Sequence, residues 1–389
     1  GEGGKKDDDK RWNSPSEPDH EIHHDSRRVR RLGSQRSRES YEGGSLQKAV
    51  DLLLEGMKFA PADKRLYHAL AGYLIESKRY QDAVDALMEL PDKEDPTGAV
   101  LRGHGLEALG RLDEAWSDAE FALRTEPGIA AALNLKGTIS FHRDNKEEAR
   151  HYFEESIKRD PGFGEPWTNL GVILWSERFH AEALEKLEKG FQLSPCKQDN
   201  ANLYYAAIGQ AEQFERAERV IQEARSIYAQ NRMLAFLHID VLLKQEKYTA
   251  AMREVERCLL QVGLDDELLA AASAIREKIG SKVISSQKKE PTLSLCMIVK
   301  NEEQHLAKCL NSLTLLADEI IIVDTGSNDR TVKIAEIFGS KVFHQEWDGD
   351  FSRARNHSLE KATGDWILVM DADEVLSPLD HDKLRRLLI

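Results

Sequence analysis

Small residues and prolines recur 34 positions apart in the middle of this chain. The ladders that keep this interval are Ala115, Ala149, Ala183, Ala217 and Ala251; Gly103, Gly137 and Gly171; and Pro127, Pro161 and Pro195. Three ladders in one register predict a repeated unit of two helices with a short turn between them and a loop closed by proline. Because one helical pair cannot cover its own apolar face, we expect the copies to stack into an α-solenoid with a concave surface.

The repeat resembles the tetratricopeptide repeat over residues 45–280. The stretch at 133–161 is the clearest copy, with Gly137 and Ala149 where the two helices cross and Phe153 among the large side chains around the crossing. The resemblance implies a groove that binds peptides or other proteins. A structural spacer or an oligomerisation arm is the alternative interpretation of the same repeats.

Composition and charge exclude several classes of protein. The chain has 54 Lys and Arg against 68 Asp and Glu, a net charge of −14, so it lacks the basic surface of a nucleic-acid binder. No apolar run approaches the roughly 18 residues that a membrane-spanning helix requires, so no membrane span is expected. The four cysteines show no CxxC spacing, which fits a reducing compartment and predicts a cytoplasmic location.

Residues 1–44 form a charged tail. They contain ten Lys or Arg and ten Asp or Glu, with almost no aliphatic side chains. Such a segment buries too little apolar surface to offset the entropy lost on ordering, so we predict that it is disordered.

The hydrophobic pattern changes after residue 280. A polar linker at 281–291 precedes a region, 292–389, in which apolar runs alternate with amphipathic segments. The apolar runs are LSLCMIVK (293–300), EIIIVD (319–324), KVFH (341–344) and WILV (366–369). Continuous apolar runs are typical of strands buried in a parallel sheet, and the alternation predicts an α/β fold with right-handed crossovers.

Polar residues follow three of the four predicted strands. They are Lys300-Asn301-Glu302, Asp324-Thr325-Gly326-Ser327 and Asp371-Ala372-Asp373-Glu374. Since the carboxyl ends of parallel strands meet at one edge of the sheet, where α/β proteins bind ligands, we expect these groups to converge there. Carboxylates gain nothing from such convergence unless they are solvated, paired or bound to a metal.

The chemistry of these groups predicts a site for a nucleotide diphosphate with a divalent ion. Asp371 and Asp373 offer the hard oxygen ligands that suit Mg²⁺ or Mn²⁺, which would bridge phosphate oxygens. Asp324 is positioned to accept hydrogen bonds from a base or a ribose. Arg353 and Arg355, in the helix before the fourth strand, are placed to meet the phosphate charge.

Three segments of this region look like the inverting family-2 glycosyltransferases of the GT-A fold. They are LSLCMIVKNEE, EIIIVDTGSNDRT and FSRARNHSLEKATGDWILVMDADE, and the resemblance covers residues 292–389. It implies that Asp324 contacts the nucleobase, that Asp371 lies near the ribose, and that Asp373 binds the metal on the donor diphosphate.

The same resemblance assigns the other pocket residues. Val299, Asn301 and Glu302 would line the nucleotide pocket, and Arg355 and Asn356 match the helix that precedes the metal-binding strand. The expected donor is a nucleotide-diphosphate sugar, a UDP-sugar in the first instance, with Mn²⁺ or Mg²⁺ as cofactor. The implied function is inverting glycosyl transfer, with a protein or peptide acceptor held by the repeats.

The sequence departs from the pattern of that family at its end. In the family an acidic general base and the acceptor-binding half follow the metal motif, whereas Ile389 stands sixteen residues after Asp373. We therefore expect the N-terminal, nucleotide-binding half of a GT-A domain, an inactive fragment whose general base lies beyond Ile389.

Two other interpretations compete with a transferase. A non-catalytic repeat scaffold with a vestigial nucleotide-binding half-domain would show no metal-dependent nucleotide binding. A nucleotidyltransferase would normally place a glycine-rich phosphate loop after the first strand, where this sequence has Asn301-Glu302-Glu303 instead.

Overall fold

A computed structural model describes residues 36–40, 45–261, 263–281 and 291–388. The chain divides into two compact units, one ending at Asp160 and the other continuing from Pro161, so each unit contains part of the repeat region. Most of the predicted linker and most of the predicted tail lie outside the described ranges. Within the tail, residues 36–40 are helical, and the buried Ser37 hydroxyl donates to the carbonyl of Ala49 at 3.0 Å. The disorder expected for the rest of the tail stays a prediction.

Helical hairpins build the first unit. Its repeat helices are α1 (Leu46–Phe59), α2 (Lys64–Glu76), α3 (Tyr80–Met88), α4 (Pro96–Ala108), α5 (Leu112–Thr125), α6 (Ala130–His142) and α7 (Lys146–Arg159). Side-chain caps fix several helix starts. The carboxylate of Asp95 accepts the Gly98 amide before a proline at the start of α4, and Asn145 accepts the amide of Glu148 in α7.

The turns inside the hairpins share a residue in the left-handed conformation. Gly110 and Asp144 have φ of 78° and 60° in the first unit, and Arg178, Glu212 and Glu246 have φ of 69°, 53° and 55° in the second. These positions are also 34 residues apart. They form a fourth ladder that the sequence does not reveal, because Arg178, Glu212 and Glu246 are not residue types that signal a left-handed turn.

Close approach of paired helices explains the small residues of the repeat. The alanines of the ladder are fully buried, and a Cβ added to Gly137 would stand 2.4 Å from Phe153 Cε1. A Cβ on Gly171 would stand 2.8 Å from Leu187 Cγ. Both separations are shorter than van der Waals contact, so the structure confirms that the helices cross at these glycines.

The second unit begins with further helical hairpins and continues into an α/β region. Its repeat helices are α8 (Gly164–Ser176), α9 (His180–Leu193), α10 (Gln198–Ala211), α11 (Phe214–Ile227), α12 (Arg232–Lys244), α13 (Tyr248–Gln261) and α14 (Asp266–Ile279). The α/β region comprises β1 (Leu293–Val299), α15 (Leu306–Leu313), β2 (Glu319–Asp324), α16 (Thr331–Ile337), β3 (Lys341–His344), α17 (Phe351–Lys361), β4 (Trp366–Val369) and α18 (Pro378–Leu387). The predicted fold class, helical hairpins of the α-solenoid type followed by α/β, is confirmed. None of the helices in the described ranges is long and apolar enough to cross a membrane.

The four strands of the α/β region form one parallel sheet in the order β3-β2-β1-β4. Val299 at the end of β1 lies opposite Asp324 at the end of β2, and Cys296 lies opposite Val369 at the end of β4. The carboxyl ends of β1, β2 and β4 therefore share one edge of the sheet, as the strand-helix alternation predicts.

The two faces of the sheet have different coverings. One face, which includes Leu295 and Ile320, belongs to a hydrophobic core that also contains side chains of α12 to α16. The other face carries α17, where Cys296 Sγ donates to the carbonyl of Ser358 at 3.4 Å. The last repeat helices and the sheet of this unit thus share one core.

A buried carboxylate ties the amino ends of the strands together. Glu319, fully buried at the start of β2, accepts hydrogen bonds from Ser294 Oγ, the Thr363 amide and Lys341 Nζ, each at 2.8 Å. Burial acts to raise the pKa of Glu319, but these hydrogen bonds outweigh it and hold the pKa below its ordinary value. Sequence analysis takes Glu319 only as part of an apolar run, because its partners are distant in the chain.

Adding one methyl group at a helix crossing tests the close approach. Gly137→Ala should lower the free energy of unfolding by about 1–3 kcal/mol, because the new Cβ overlaps the Phe153 ring. Gly72→Ala is the matched control, since a Cβ there meets nothing within 4 Å. The control should be stabilised by about 0.5–1 kcal/mol through helix propensity. Urea unfolding measures the free energy of unfolding of both variants. Equal stability of Gly137→Ala and Gly72→Ala would contradict the close approach of the helices at Gly137.

The lowered pKa of Glu319 predicts a pH-dependent contribution to stability. The ionised carboxylate stabilises the fold above pH 4.5, the ordinary pKa, and this stabilisation is lost as the pH falls through the lower folded-state pKa. At pH 7, Glu319→Gln should lower the free energy of unfolding by about 1–3 kcal/mol. The difference from wild type should shrink in acid. Glu346→Gln, at an exposed position, is the control and should unfold like wild type. If the stability lost in Glu319→Gln does not depend on pH, the ionised network is ruled out.

Candidate functional site

The loops after β1 and β2 are joined by a row of hydrogen bonds. Three consecutive backbone amides after β1 donate to side chains that follow β2. The N–H groups of Asn301, Glu302 and Glu303 meet Ser327 Oγ at 2.9 Å, Thr331 Oγ1 at 2.7 Å and Asp329 Oδ2 at 3.2 Å. A backbone segment whose amides are all held in this way has a fixed shape, so it can form one wall of a binding pocket.

The turn out of β1 depends on Asn301. Its φ of 55° lies in the left-handed region, which asparagine tolerates better than most residues. Its Oδ1 accepts the amide of Asn328 at 2.9 Å, and this contact fixes the same turn from the opposite loop. Beside it, the buried Val299 accepts both the amide and the hydroxyl of Thr325 at its carbonyl, at 3.0 and 3.1 Å.

Asp324 closes the end of β2. Its carboxylate accepts the amides of Gly326 at 3.3 Å and Ser327 at 3.2 Å, and His344 Nδ1 lies 3.3 Å from Oδ2. The residue is only 3% exposed, so these contacts hold a nearly buried carboxylate at the carboxyl edge of the sheet.

A second group of polar side chains surrounds the turn after β4. Arg355 Nη2 donates to Asp371 Oδ1 at 3.1 Å, and the amide of Asp371 donates to Glu374 Oε2 at 2.9 Å. Arg355 Nη1 is buried and has no hydrogen-bond acceptor among the described residues. A buried guanidinium N–H without an acceptor beside an exposed carboxylate is a donor suited to an incoming phosphate oxygen.

The donor set at this turn suits a metal ion only when it is shared with a ligand. Asp371 and Asp373 are both exposed. Within the described ranges, no three His, Cys, Asp or Glu side chains are grouped so that they could hold an ion by themselves. Mg²⁺ commonly takes one or two protein carboxylates and completes its shell with substrate phosphates and water. The two aspartates fit that arrangement.

The remaining predicted residues have different surroundings. Arg353 is paired with Asp348 and is largely exposed, so the structure links Arg355, and not Arg353, to the turn that carries Asp371. Asn356 is exposed on the same helix, and Glu302 Oε2 lies 3.0 Å from His305 Nδ1. The structure thus brings the predicted residues together in two groups: Val299, Asn301, Glu302 and Asp324 in one, and Arg355 with Asp371 in the other.

Sequence analysis does not single out Asp329, Thr331 and His344. The first two hold the loop after β1, and hydrogen bonds from Thr331 outweigh the effect of burial to keep the pKa of Asp329 below its ordinary value. His344 is the last residue of β3, the neighbour of β2. A search for polar residues at the end of every predicted strand would find His344. The roles of Asp329 and Thr331 have no comparable signal.

Family models match the chain in two places. Residues 294–388 match the model described as glycosyl transferase family 2, and residues 100–162 match a tetratricopeptide repeat model. Both resemblances predicted from the motifs are therefore confirmed. The chain combines tetratricopeptide repeats with a C-terminal domain of the glycosyl transferase family 2 type.

Individual proteins are similar over parts of the chain. A TPR repeat-containing protein of Synechococcus elongatus is 55% identical over 84 residues, which are 22% of this chain and 21% of the relative. The SPbeta prophage-derived glycosyltransferase SunS of Bacillus subtilis is 38% identical over 98 residues, 25% of this chain and 23% of the relative. A solved thermophilic TPR protein of Thermus thermophilus aligns with a TM-score of 0.40 and 20% identity, over 47% of this chain and 98% of that one. The chain thus spans less than a quarter of the length of either curated relative.

Proposed function

We propose that the α/β region binds a nucleotide-diphosphate sugar, in the first instance a UDP-sugar, and that the protein is an inverting glycosyltransferase. The observation that carries the proposal is the arrangement of three polar loops at one edge of a parallel sheet, in the segment that matches a glycosyl transferase family model. Fixed amides after β1, a nearly buried carboxylate after β2 and an arginine-carboxylate pair after β4 together suit a nucleoside diphosphate better than they suit an apolar ligand.

In this proposal the first group of residues receives the nucleoside. Asp324 accepts a hydrogen bond from the base, since its carboxylate lies at the end of β2 and has acceptor capacity left beyond the two loop amides. Val299, Asn301 and Glu302 form the adjacent wall. The hydrogen bonds from the loop amides to side chains hold that wall in place before the ligand arrives, which lowers the entropy lost on binding.

The second group of residues receives the diphosphate. Arg355 is proposed to donate through Nη1, which has no acceptor among the described residues, to a phosphate oxygen. Asp371, held by Nη2 of the same guanidinium, is assigned to the ribose. Asp373 would hold Mn²⁺ or Mg²⁺ jointly with the diphosphate, and when bound the ion supplies positive charge that stabilises the departing diphosphate. Arg353 and Asn356 lie on the same helix and add polar donors beside the site.

The transfer itself is a displacement at the anomeric carbon. An acceptor hydroxyl oxygen forms the new glycosidic bond, the bond to the diphosphate oxygen breaks, and the hydroxyl proton passes to a general base. The repeats are proposed to present a protein or peptide acceptor, in keeping with their tetratricopeptide type.

Titration calorimetry with UDP and Mn²⁺ tests the nucleotide site. Wild-type protein should bind UDP only when Mn²⁺ is present, and Mn²⁺ alone should bind weakly because the protein supplies at most two carboxylates. Asp373→Asn should weaken binding by about tenfold, or about 1.4 kcal/mol. Asp382→Asn, which removes the same charge from an exposed position of α18, should bind like wild type. Failure of folded wild-type protein to bind UDP would refute the site and favour the non-catalytic scaffold.

A further inference from the structure

One hydrophobic core runs from the last repeat helices into the sheet region of the second unit. Helix α14 packs against α16, and α13 packs against α15. The fully or nearly buried members from α14, α15 and α16 include Leu268, Leu269, Ala272 and Ile275; Leu306, Cys309, Leu310 and Leu313; and Ile334, Ala335 and Ile337. A repeat array tethered only by a linker would show no such shared core, so α14 is packed as part of the α/β region.

Arg276 attaches α14 to the carboxyl end of α16. Its Nε donates to the carbonyl of Ile337 at 3.0 Å, and Nη2 donates to the same oxygen. Ile337 is the last residue of α16, so its carbonyl is one of those that a helix end leaves without an intrahelical donor. The Arg276 side chain is only 14% exposed, and Glu256 Oε1 lies 3.5 Å from Nη2, which keeps the guanidinium paired with a charge.

The amino end of α16 holds the loop after β1. Thr331, the first residue of the helix, accepts the amide of Glu302. Arg330, one residue earlier, donates through its backbone amide and Nε to Glu303 Oε2 at 3.2 and 3.1 Å. Its Nη1 reaches Asp266 Oδ1 at the start of α14, at 3.3 Å. The seven-residue helix α16 is therefore held by α14 near both ends while it supports the proposed nucleotide wall.

We propose that α14 is an integral part of the nucleotide site and that Arg276 and Arg330 are positioning residues. Arg276 holds the Asn301–Glu303 loop in place through α16, and Arg330 holds it by direct contact with Glu303. The proposal rests on the proposed function for the identity of the ligand, but the mechanical connection stands on the contacts alone. Of the two residues, Arg276 has the larger effect, because its contacts are nearly buried whereas Asp266 is exposed and its pair with Arg330 is screened by solvent.

Full-length Arg276→Met tests the connection, because methionine keeps the apolar stem and removes every donor to Ile337. Hydrogen exchange of the amides at 301–303 should accelerate about tenfold, and the Kd for UDP with Mn²⁺ should rise by a similar factor. Exchange in β1 and in α9 should match wild type. Arg276→Lys retains a donor, so its exchange rates and its Kd for UDP should lie between those of Arg276→Met and wild type. Arg253→Met, on the exposed face of α13, should leave both the exchange rates and the Kd unchanged.

The two readouts separate the possible failures. If wild-type protein binds no UDP, the proposed function fails, and the exchange rates at 301–303 still decide the positioning role. Unchanged exchange at 301–303 in folded Arg276→Met would overturn the proposal, as would an equal acceleration throughout β1, which indicates general loss of stability. Should Arg276→Met not fold, Arg330→Met provides the same test from the amino end of α16, with acceleration at 301–303 supporting the proposal and no change refuting it.

Discussion

The α/β region of the second unit depends on one hydrophobic core to which the last repeat helices and the parallel sheet both contribute. Side chains of α12 to α16 share this core with one face of β1 and β2, and the repeat helices α13 and α14 pack against α15 and α16 of the α/β region. The packing therefore fixes the last repeats against the region that carries the candidate site.

On this core, the two ends of the sheet have different tasks. At the amino end, the buried carboxylate of Glu319 joins β1, β2 and β3 and the segment before β4 through hydrogen bonds. At the carboxyl end, two polar groups can still bind a ligand. Arg355 Nη1 has no hydrogen-bond acceptor among the described residues, and the carboxylate of Asp373 is exposed. A satisfied network is typical of structural support and an unsatisfied one of a binding site, which is the physical basis for placing the ligand at the carboxyl edge.

Local patterns predict much of this architecture from sequence, and distant contacts account for what they miss. The 34-residue ladders predict the helical hairpins and the close approach at Gly137, because both follow from residue size at a fixed interval. The apolar runs likewise predict four parallel strands and the edge that carries Asp324 and Asp371. Arg276 and its acceptor Ile337 are 61 residues apart in sequence, and no spacing rule relates them. The different roles of Arg353 and Arg355 could not be predicted for another reason. The two arginines lie on one predicted helix, and only the folded structure shows that Arg353 pairs with Asp348 and Arg355 with Asp371.

A crystal structure of the protein with UDP and Mn²⁺ would test the central claim, that the carboxyl edge of this sheet binds a sugar nucleotide. The account predicts anomalous scattering from manganese beside Asp373, diphosphate oxygens within hydrogen-bonding distance of Arg355 Nη1, and the base against Asp324. Nucleotide bound elsewhere, or manganese bound without the diphosphate at a site that excludes Asp373, would contradict it.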